Sequence, residues 1–212
     1  MKKLVALALI LISGSAHAFD LLDLISFRNI DFNNIQKLVG LPPGMGSLES
    51  NQDFKELLYW QGQRTQSQCE LAKKEVNLIL RNFVGNRTDL LSPIEEIRLT
   101  KDLSVLQLRV LQQVSGLKKI FGRPRPYKVD SRLKPCVPLE NSLAYPSAHS
   151  AISYAFAQSL SSVFPDRSGR LFDRAQEIAF NRMMGGVHHR SDLAAGEKVG
   201  RFLGRLTRLH LE

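Results

Sequence analysis

The 212-residue sequence has few cysteines, no long apolar run beyond its first dozen residues and no dense run of lysine and arginine. Two cysteines are too few for a disulfide-stapled small scaffold or for a zinc site of four thiolates. No later stretch approaches the length of apolar sequence that spans a bilayer. Basic residues interleaved with aromatic ones are also missing. We therefore expect no nucleic-acid partner and no stable membrane insertion.

Strand-like alternation and internal repeats are absent as well, and apolar residues recur at helical spacing instead. This spacing predicts helices over about residues 48–83, 93–117, 149–163, 168–184 and 191–209. Ser92, Pro93 and Glu95 form a capping-box pattern at the start of the second segment. The proline-rich stretch 123–146 is predicted to be a long loop, and such loops are often functional. The fold class is therefore all-α, a compact single-domain helical bundle.

The first 18 residues have the pattern of a secretory signal peptide, with Lys2 and Lys3 before an apolar run and a small-x-small site ending at Ala18. A membrane anchor is the alternative, but nine apolar residues (4–12) are too few to cross a bilayer. We expect cleavage near Ala18, a mature domain of residues 19–212, and a soluble protein that is periplasmic or secreted. Removing Lys2 and Lys3 from the 29 basic residues leaves 27 against 20 acidic ones, a net charge of +7. This charge is compatible with several anionic partners and selects none of them.

The two cysteines, Cys69 and Cys136, are expected to form one disulfide that closes a long loop, because an exported protein folds in an oxidising compartment. Two buried free thiols are the alternative. Metal binding by two isolated cysteines is less favoured than either.

The stretch 180–192 carries the most distinctive chemistry, with Arg182 six residues before His188 and Asp192 four residues after it. An i, i+4 spacing lets a carboxylate reach one ring nitrogen of the histidine and leave the other free. A neutral imidazole held in this way is a base or a nucleophile. The nearby arginine suggests that the species under attack is an anion.

Two further clusters hold most of the remaining unusual residues. The stretch 118–126 is basic, and the stretch 145–150 places Ser147 where a helix N-cap belongs. The free amides of a helix N-terminus favour an anion, and His149 in the first turn would be unfavourable as a cation without one. Taken alone, residues 145–150 are also compatible with an ordinary capped helix.

Together these clusters resemble the type 2 phosphatidic acid phosphatase superfamily, and within it the soluble bacterial class A nonspecific acid phosphatases. The signature of that superfamily is K-x6-R-P, then P-S-G-H, then S-R-x5-H-x3-D. The matching residues occur in this order and are, in turn, Lys118 with Arg125 and Pro126, then Pro146-Ser147-Ala148-His149, then Asn181-Arg182, His188 and Asp192. The segments 42–47 and 61–65 also resemble the amino-terminal part of the class A enzymes, so the similarity covers roughly residues 41–205.

The resemblance implies a role for each matching residue. His188 would be the nucleophile that forms a phosphohistidine, Asp192 would orient it, and His149 would protonate the leaving alkoxide. The phosphoryl oxygens would be held by Lys118, Arg125, Arg182, Ser147 and the backbone N–H of Ala148. Because three cations surround the equatorial oxygens, no metal and no cofactor is implied.

Two residues depart from the family pattern: Ala148 replaces a glycine and Asn181 a serine. The methyl group of Ala148 could crowd the phosphate, whereas Asn181 costs at most a supporting hydrogen bond. Neither change removes a charged group, so we expect activity with an altered rate or specificity. Outside the motif, Lys119 and Arg123 are interpreted as surface charge.

The function that this pattern predicts is an exported, metal-independent acid phosphatase that hydrolyses small phosphate monoesters, with phosphotransfer to alcohols as a side reaction. Its pH optimum should be acidic to neutral. The alternatives are a phosphatase of lipid-linked phosphates, a vanadate-dependent haloperoxidase and a phosphate-binding protein without turnover. The sequence leaves a homo-oligomer open. His189 is predicted to support the site or face the substrate.

Overall fold

The computed structural model describes residues 32–210, so the predicted signal peptide lies outside the described residues. Within this range the chain is helical and contains no strand, as predicted. The helices are α1 Phe32–Val39, α2 Leu48–Gln63, α3 Gln66–Lys74, α4 Leu80–Val84, α5 Pro93–Phe121, α6 Pro126–Val129, α7 Ala148–Val163, α8 Ser168–Met184 and α9 Arg190–Arg205. A short 3₁₀ turn, Pro165–Arg167, precedes α8. No helix in this range combines the length and apolar character that crossing a membrane requires.

The continuous helical segment predicted over 48–83 is wrong, because three separate helices occupy it. Arg64 is extended at the end of α2, with φ −67° and ψ 140°. Thr65 then begins α3 through a capping box with Gln68. A threonine side chain that bonds nearby amides offers the backbone an alternative to continuing the previous helix. The apolar spacing survives these breaks, and periodicity alone therefore did not reveal them.

The long helix α5 begins at the predicted capping box of Ser92 and Glu95. Its apolar stripe is buried, and Lys118 continues that stripe into the last turn. Gly122 ends the helix in the left-handed conformation at φ 64°, a region that glycine occupies without strain. The basic stretch 118–126 is therefore carried on the buried end of α5.

The central helix is α7, in which ten of the sixteen residues are buried. Helix α9 packs against it through Gly196, Gly200 and Gly204, which lie one turn apart. A Cβ at Gly196 would lie 2.5 Å from the carbonyl oxygen of Ser147, and the other two glycines face α7 backbone equally closely. The absence of side chains lets the two backbones touch, and this contact sets α9 against the start of α7.

The expected disulfide between Cys69 and Cys136 is present, with a sequence separation of 67 residues. It joins α3 to the loop between α6 and α7. The same loop is held to the end of α8, because the backbone N–H of Cys136 donates to the carbonyl of Gly185 at 3.1 Å. The stretch 180–192 is thus anchored to the proline-rich loop at Gly185.

Candidate active site

His188 and Asp192 form the centre of the site, and both are buried. Nδ1 of His188 lies 3.2 Å from Oδ2 of Asp192, as the i, i+4 spacing predicted. Nε2 of His188 lies 2.8 Å from Nη1 of Arg125. A guanidinium can only donate, so Nε2 carries the lone pair and Nδ1 carries the proton that Asp192 accepts. This is the tautomer that a nucleophilic Nε2 requires.

Asp192 also caps the start of α9, because its Oδ2 accepts the backbone N–H of His189 at 2.8 Å. A carboxylate in the first turn of a helix is stabilised by the amides and by the helix dipole. The backbone carbonyl of Asp192 in turn accepts the N–H of Ser147 at 2.9 Å. The close packing of α7 and α9 therefore brings the second and third motif clusters together.

The interpretation of Arg123 as surface charge is wrong, since it is buried and contacts Asp192. Its Nη1 donates to Oδ1 of Asp192 at 2.6 Å and to Oγ of Ser191 at 2.7 Å. Its Nη2 donates to Oδ2 of Asp53 at 2.8 Å. The backbone N–H of Ser191 also donates to Asp53, at 3.1 Å. Lys119, by contrast, is exposed as expected.

Arg125 and Arg182 come together through a residue that sequence reasoning did not identify, Glu140. Oε2 of Glu140 accepts from Nη2 of Arg125 at 2.5 Å, and Oε1 accepts from Nη2 of Arg182 at 3.2 Å. The two arginine side chains are 1% and 0% exposed, whereas that of Glu140 is 30% exposed. The carboxylate thus lies on the solvent side of two buried guanidiniums.

Lys118 is buried at the end of α5, and its Nζ donates to the carbonyl of Leu143 and approaches that of Ala144 at 3.5 Å. Burial, and then the positive charge of Arg125, lower the pKa of Lys118 to about 7. The negative charges of Glu140 and Asp192 oppose this shift. An anion bound here would favour the charged form of the lysine.

Ser147 is the N-cap of α7, and its Oγ accepts the N–H of Ser150 at 3.4 Å. Ala148 opens the helix, and among the described residues only glycines have positive φ, so this alanine is not strained. Nε2 of His149 donates to the carbonyls of Glu75 and Val76 at 3.1 and 3.0 Å. In a neutral His149 the unprotonated nitrogen is therefore Nδ1.

The protonation of the two motif histidines follows from burial. Burial and the adjacent Arg125 hold the pKa of His188 well below its usual range, so its imidazole is neutral. Burial and Arg182 lower the pKa of His149 to about 4, against an opposing effect of Glu140. Burial alone would raise the pKa of Asp192, but hydrogen bonds from His188 and His189 hold it well below its usual range.

His189 shares the carboxylate with its neighbour, because its Nδ1 lies 3.2 Å from Oδ2 of Asp192. Its ring meets Phe54 edge-on at 4.9 Å between centroids. It also lines a cavity of about 220 Å³ that the 42–45 segment and Phe121 border. These contacts agree with a supporting role for His189.

Behind the site, Asn181 donates to Oε2 of the buried Glu75 at 2.9 Å, and Arg174 pairs with the other oxygen at 2.9 Å. The asparagine thus tethers the residue before Arg182 to the segment that holds His149. Within residues 32–210, no group of three or more histidine, cysteine, aspartate or glutamate side chains is arranged to hold a metal ion. We assign no metal ligands.

Three residues of this site were missed by sequence reasoning: Asp53, Arg123 and Glu140. Arg123 had a signal, because it lies two residues before Arg125 and close to Lys118 in a basic cluster. Asp53 lies on α2 and Glu140 in the proline-rich loop, and neither has a distinctive neighbour pattern.

The all-helical fold thus encloses a histidine–aspartate pair beside three buried cationic side chains, those of Lys118, Arg125 and Arg182, and such a set of charges is suited to an anion. Residues 103–210 match the model of the PAP2 superfamily. The chain belongs to the PAP2 superfamily.

Two curated relatives are non-specific acid phosphatases. That of Salmonella typhimurium is 29% identical over 174 residues, which cover 76% of this chain and 68% of the relative. That of Salmonella typhi is 33% identical over 102 residues, covering 46% of this chain and 40% of the relative. The second match therefore spans less than half the length of that relative.

Solved structures show the same fold. A bacterial vanadium-dependent iodoperoxidase superposes with a TM-score of 0.62 at 20% identity, over 81% of this chain and 53% of that one. A transmembrane PAP2-type phosphatidylglycerolphosphate phosphatase from Bacillus subtilis superposes with a TM-score of 0.55 at 15% identity, over 85% of this chain and 91% of that one. At these identities the likeness concerns the fold.

Proposed function

We propose that this protein is a phosphatase that hydrolyses small phosphate monoesters through a phosphohistidine at His188. The observation that carries the proposal is the buried His188–Asp192 pair, whose protonation leaves the lone pair on Nε2 beside Arg125. Membership of the PAP2 superfamily and the acid phosphatase relatives support it.

In the first step, Nε2 of His188 would attack phosphorus in line with the leaving alkoxide, forming the N–P bond as the P–O ester bond breaks. Asp192 stabilises the positive charge that develops on the ring, because it already accepts the Nδ1 proton. Arg125, Arg182 and Lys118 would neutralise the equatorial oxygens, which is the main electrostatic demand of phosphoryl transfer.

His149 would supply the proton to the leaving alkoxide. Its Nε2 proton is held by two backbone carbonyls, so the transferred proton would come from Nδ1 of the imidazolium. Burial and Arg182 lower the pKa of His149 to about 4 without a ligand, and the charge of a bound phosphoryl group would raise that pKa and favour the imidazolium. In the second step, His149 would take a proton from water, which attacks the phosphohistidine and releases phosphate and neutral His188. Another alcohol in place of water would give phosphotransfer. We propose that these charged groups act without a metal ion.

Export belongs to the same proposal. The leader pattern of residues 1–18 and the disulfide between Cys69 and Cys136 support an oxidising compartment outside the cytoplasm. Amino-terminal sequencing of protein secreted by a host that expresses the full chain should give Phe19 as the first residue. A mature chain that still begins at residue 1 would contradict the export proposal.

The test of the activity is hydrolysis of an aryl phosphate by the purified protein and by His188→Ala, each with and without a chelator. We expect turnover by the parent protein that a chelator leaves unchanged and a loss of about four orders of magnitude in the variant. Acid-labile ³²P label on His188 after quenching would identify the intermediate. Full activity of His188→Ala would exclude the proposed nucleophile. A lipid phosphate monoester, such as a diacylglycerol phosphate, offered as a competing substrate would test the lipid-linked alternative.

A further inference from the structure

Glu140 occupies the place where the proposed function puts the substrate. Its two carboxylate oxygens bridge Arg125 and Arg182, the guanidiniums proposed to hold two phosphoryl oxygens. Oγ of Ser142 lies 3.2 Å from Oε2 and reinforces this position. Burial would raise the pKa of Glu140, but the positive charge of Arg125, together with that of Arg182, lowers it to about 2. The bridging group is thus an anion under all ordinary conditions.

Arg125 has no donor to spare while Glu140 is in place. Its Nε donates to the carbonyl of Ser142 at 2.9 Å, and its Nη1 to the carbonyl of Val187 at 3.0 Å and to His188. Its Nη2 donates to Glu140 and to Oγ of Ser142. A guanidinium has five N–H donors, and these five contacts use all of them. A phosphoryl oxygen can therefore bind Arg125 only by displacing one of these acceptors.

The neighbouring arginine retains an unused donor. Nη1 of Arg182 reaches the carbonyl of Ala72 at 3.4 Å and Nη2 reaches Glu140. Its Nε is buried and has no hydrogen-bond partner within residues 32–210. An unpaired N–H on a buried guanidinium costs desolvation free energy unless a ligand accepts a hydrogen bond from it. The pair of arginines therefore presents the unpaired Nε–H of Arg182 and two donors held by Glu140.

The guanidinium of Arg125 also contacts the proposed nucleophile, His188. Nη1 of Arg125 donates to Nε2 of His188, so the lone pair proposed to attack phosphorus is occupied by a hydrogen bond. When Arg125 turns towards a phosphoryl group, that lone pair becomes free. Displacement of Glu140 and release of His188 are thus coupled through a single guanidinium.

We propose that Glu140 is an internal competitor for the phosphoryl group, which must leave Arg125 and Arg182 before a phosphate can bind and His188 can react. This inference rests on the proposed function and names a residue that sets the affinity of its site. The apparent dissociation constant of a ligand is its intrinsic value divided by the fraction of molecules with the site open. If Glu140 holds the site closed about nine-tenths of the time, it weakens binding about tenfold.

The test measures binding of inorganic phosphate by titration calorimetry at mildly acidic pH, which needs no turnover. Glu140→Gln keeps the size of the side chain and removes its charge. We expect it to bind phosphate about tenfold or more tightly than the parent protein. Glu95→Gln is the matched control, because Glu95 also pairs with an arginine, Arg167, at the opposite end of α5 from Lys118. A glutamine still completes the capping box there, so the control should bind phosphate like the parent.

A second variant covers the case in which Glu140→Gln does not fold. Glu140→Asp keeps the charge but is one methylene shorter, so it cannot bridge both arginines as Glu140 does, and it should gain affinity by a smaller factor. Equal or weaker phosphate binding by the folded variants would overturn the competitor role, and so would no detectable binding in any of them. Turnover of an aryl phosphate by the parent protein, assayed in parallel, tells whether the proposed function stands independently of that result.

Discussion

At the scale of single residues, Asp192 connects His188, the proposed nucleophile, to the amino-terminal half of the described chain. It accepts from His188 on one side and from Arg123 on the other, and Arg123 is held in turn by Asp53 on α2. These charges are buried, and a buried charge is tolerated only when its partners satisfy it. The orientation of His188 therefore depends on a residue that lies outside the 103–210 match to the family model.

The first prediction concerns this chain of contacts. Arg123→Gln removes a charge-assisted hydrogen bond to Asp192, a contact of the kind that contributes about 1.5–3 kcal/mol, so kcat should fall about 10-fold to 100-fold while KM changes less. Arg123→Lys should recover part of kcat, since it restores the charge. Steady-state kinetics on an aryl phosphate measure both constants.

Arg190→Gln is the control for that experiment. Arg190 begins α9 beside the same site, but its side chain is 60% exposed, so its pair with Glu56 is screened by solvent and contributes little. Its kinetics should match those of the parent protein. Lower stability of Arg123→Gln with an unchanged kcat would show that Arg123 only supports the fold.

Lys118 supplies the second prediction at this scale, through its pKa of about 7. The lysine is charged below that pH and neutral above it, so anion binding should weaken by up to about tenfold per pH unit above pH 7. Sulfate is the suitable probe because it remains a dianion across this range, and calorimetry gives its dissociation constant. Lys118→Met should bind sulfate more weakly and without this pH step. A step that persists in the variant would assign the titration to another group.

At the scale of elements, the contact between α7 and α9 decides whether the motif clusters meet. The three glycines of α9 lie against the backbone of α7, and this closeness lets Ser147 donate to Asp192. The capping of α9 by Asp192 adds to the same geometry. One helix pair thus brings the N-terminus of α7, a proposed anion site, next to His188, the proposed nucleophile.

The element-scale prediction is that Gly200→Ala separates this pair. A Cβ there would meet the carbonyl oxygen of Ala151 well inside van der Waals contact, so the free energy of unfolding should fall by about 1–3 kcal/mol, and kcat should fall with it. Gly169→Ala is the control, because a Cβ at this exposed helical position meets nothing within 4 Å. It should raise stability by up to about 1 kcal/mol through helix propensity. Urea denaturation measures both changes, and equal behaviour of the two variants would contradict the close packing.

At the scale of the whole molecule, the disulfide is the covalent link between α3 and the proline-rich loop. That loop contributes Glu140 and the carbonyl acceptors of Lys118 and Arg125 to the site. The link therefore holds the loop near the charges that it contacts.

The molecular-scale prediction concerns this disulfide, whose two cysteines are 67 residues apart in the sequence. In the chain-entropy model a loop of this length contributes about 4 kcal/mol, so a Cys69→Ser and Cys136→Ser double variant should lose roughly that much unfolding free energy. Guanidinium denaturation of the oxidised parent, the reduced parent and the double variant measures it. Agreement between the reduced parent and the double variant would show that the bond matters rather than the substituted side chains, and no loss in either would contradict the prediction.

The sequence alone determined the helical class, the capping box at Ser92 and Glu95, the disulfide pair and the order of the three motifs. These features depend on local preferences or on fixed spacing, which the sequence carries directly. Only the tertiary structure decided that Arg123 is buried against Asp192, 69 residues away, and against Asp53, 70 residues away. It also decided that Glu140 bridges Arg125 and Arg182. Such contacts arise from the packing of α2, α5 and α9 and from the path of a loop, and a charge brought to its partner in this way has no local pattern that would mark it.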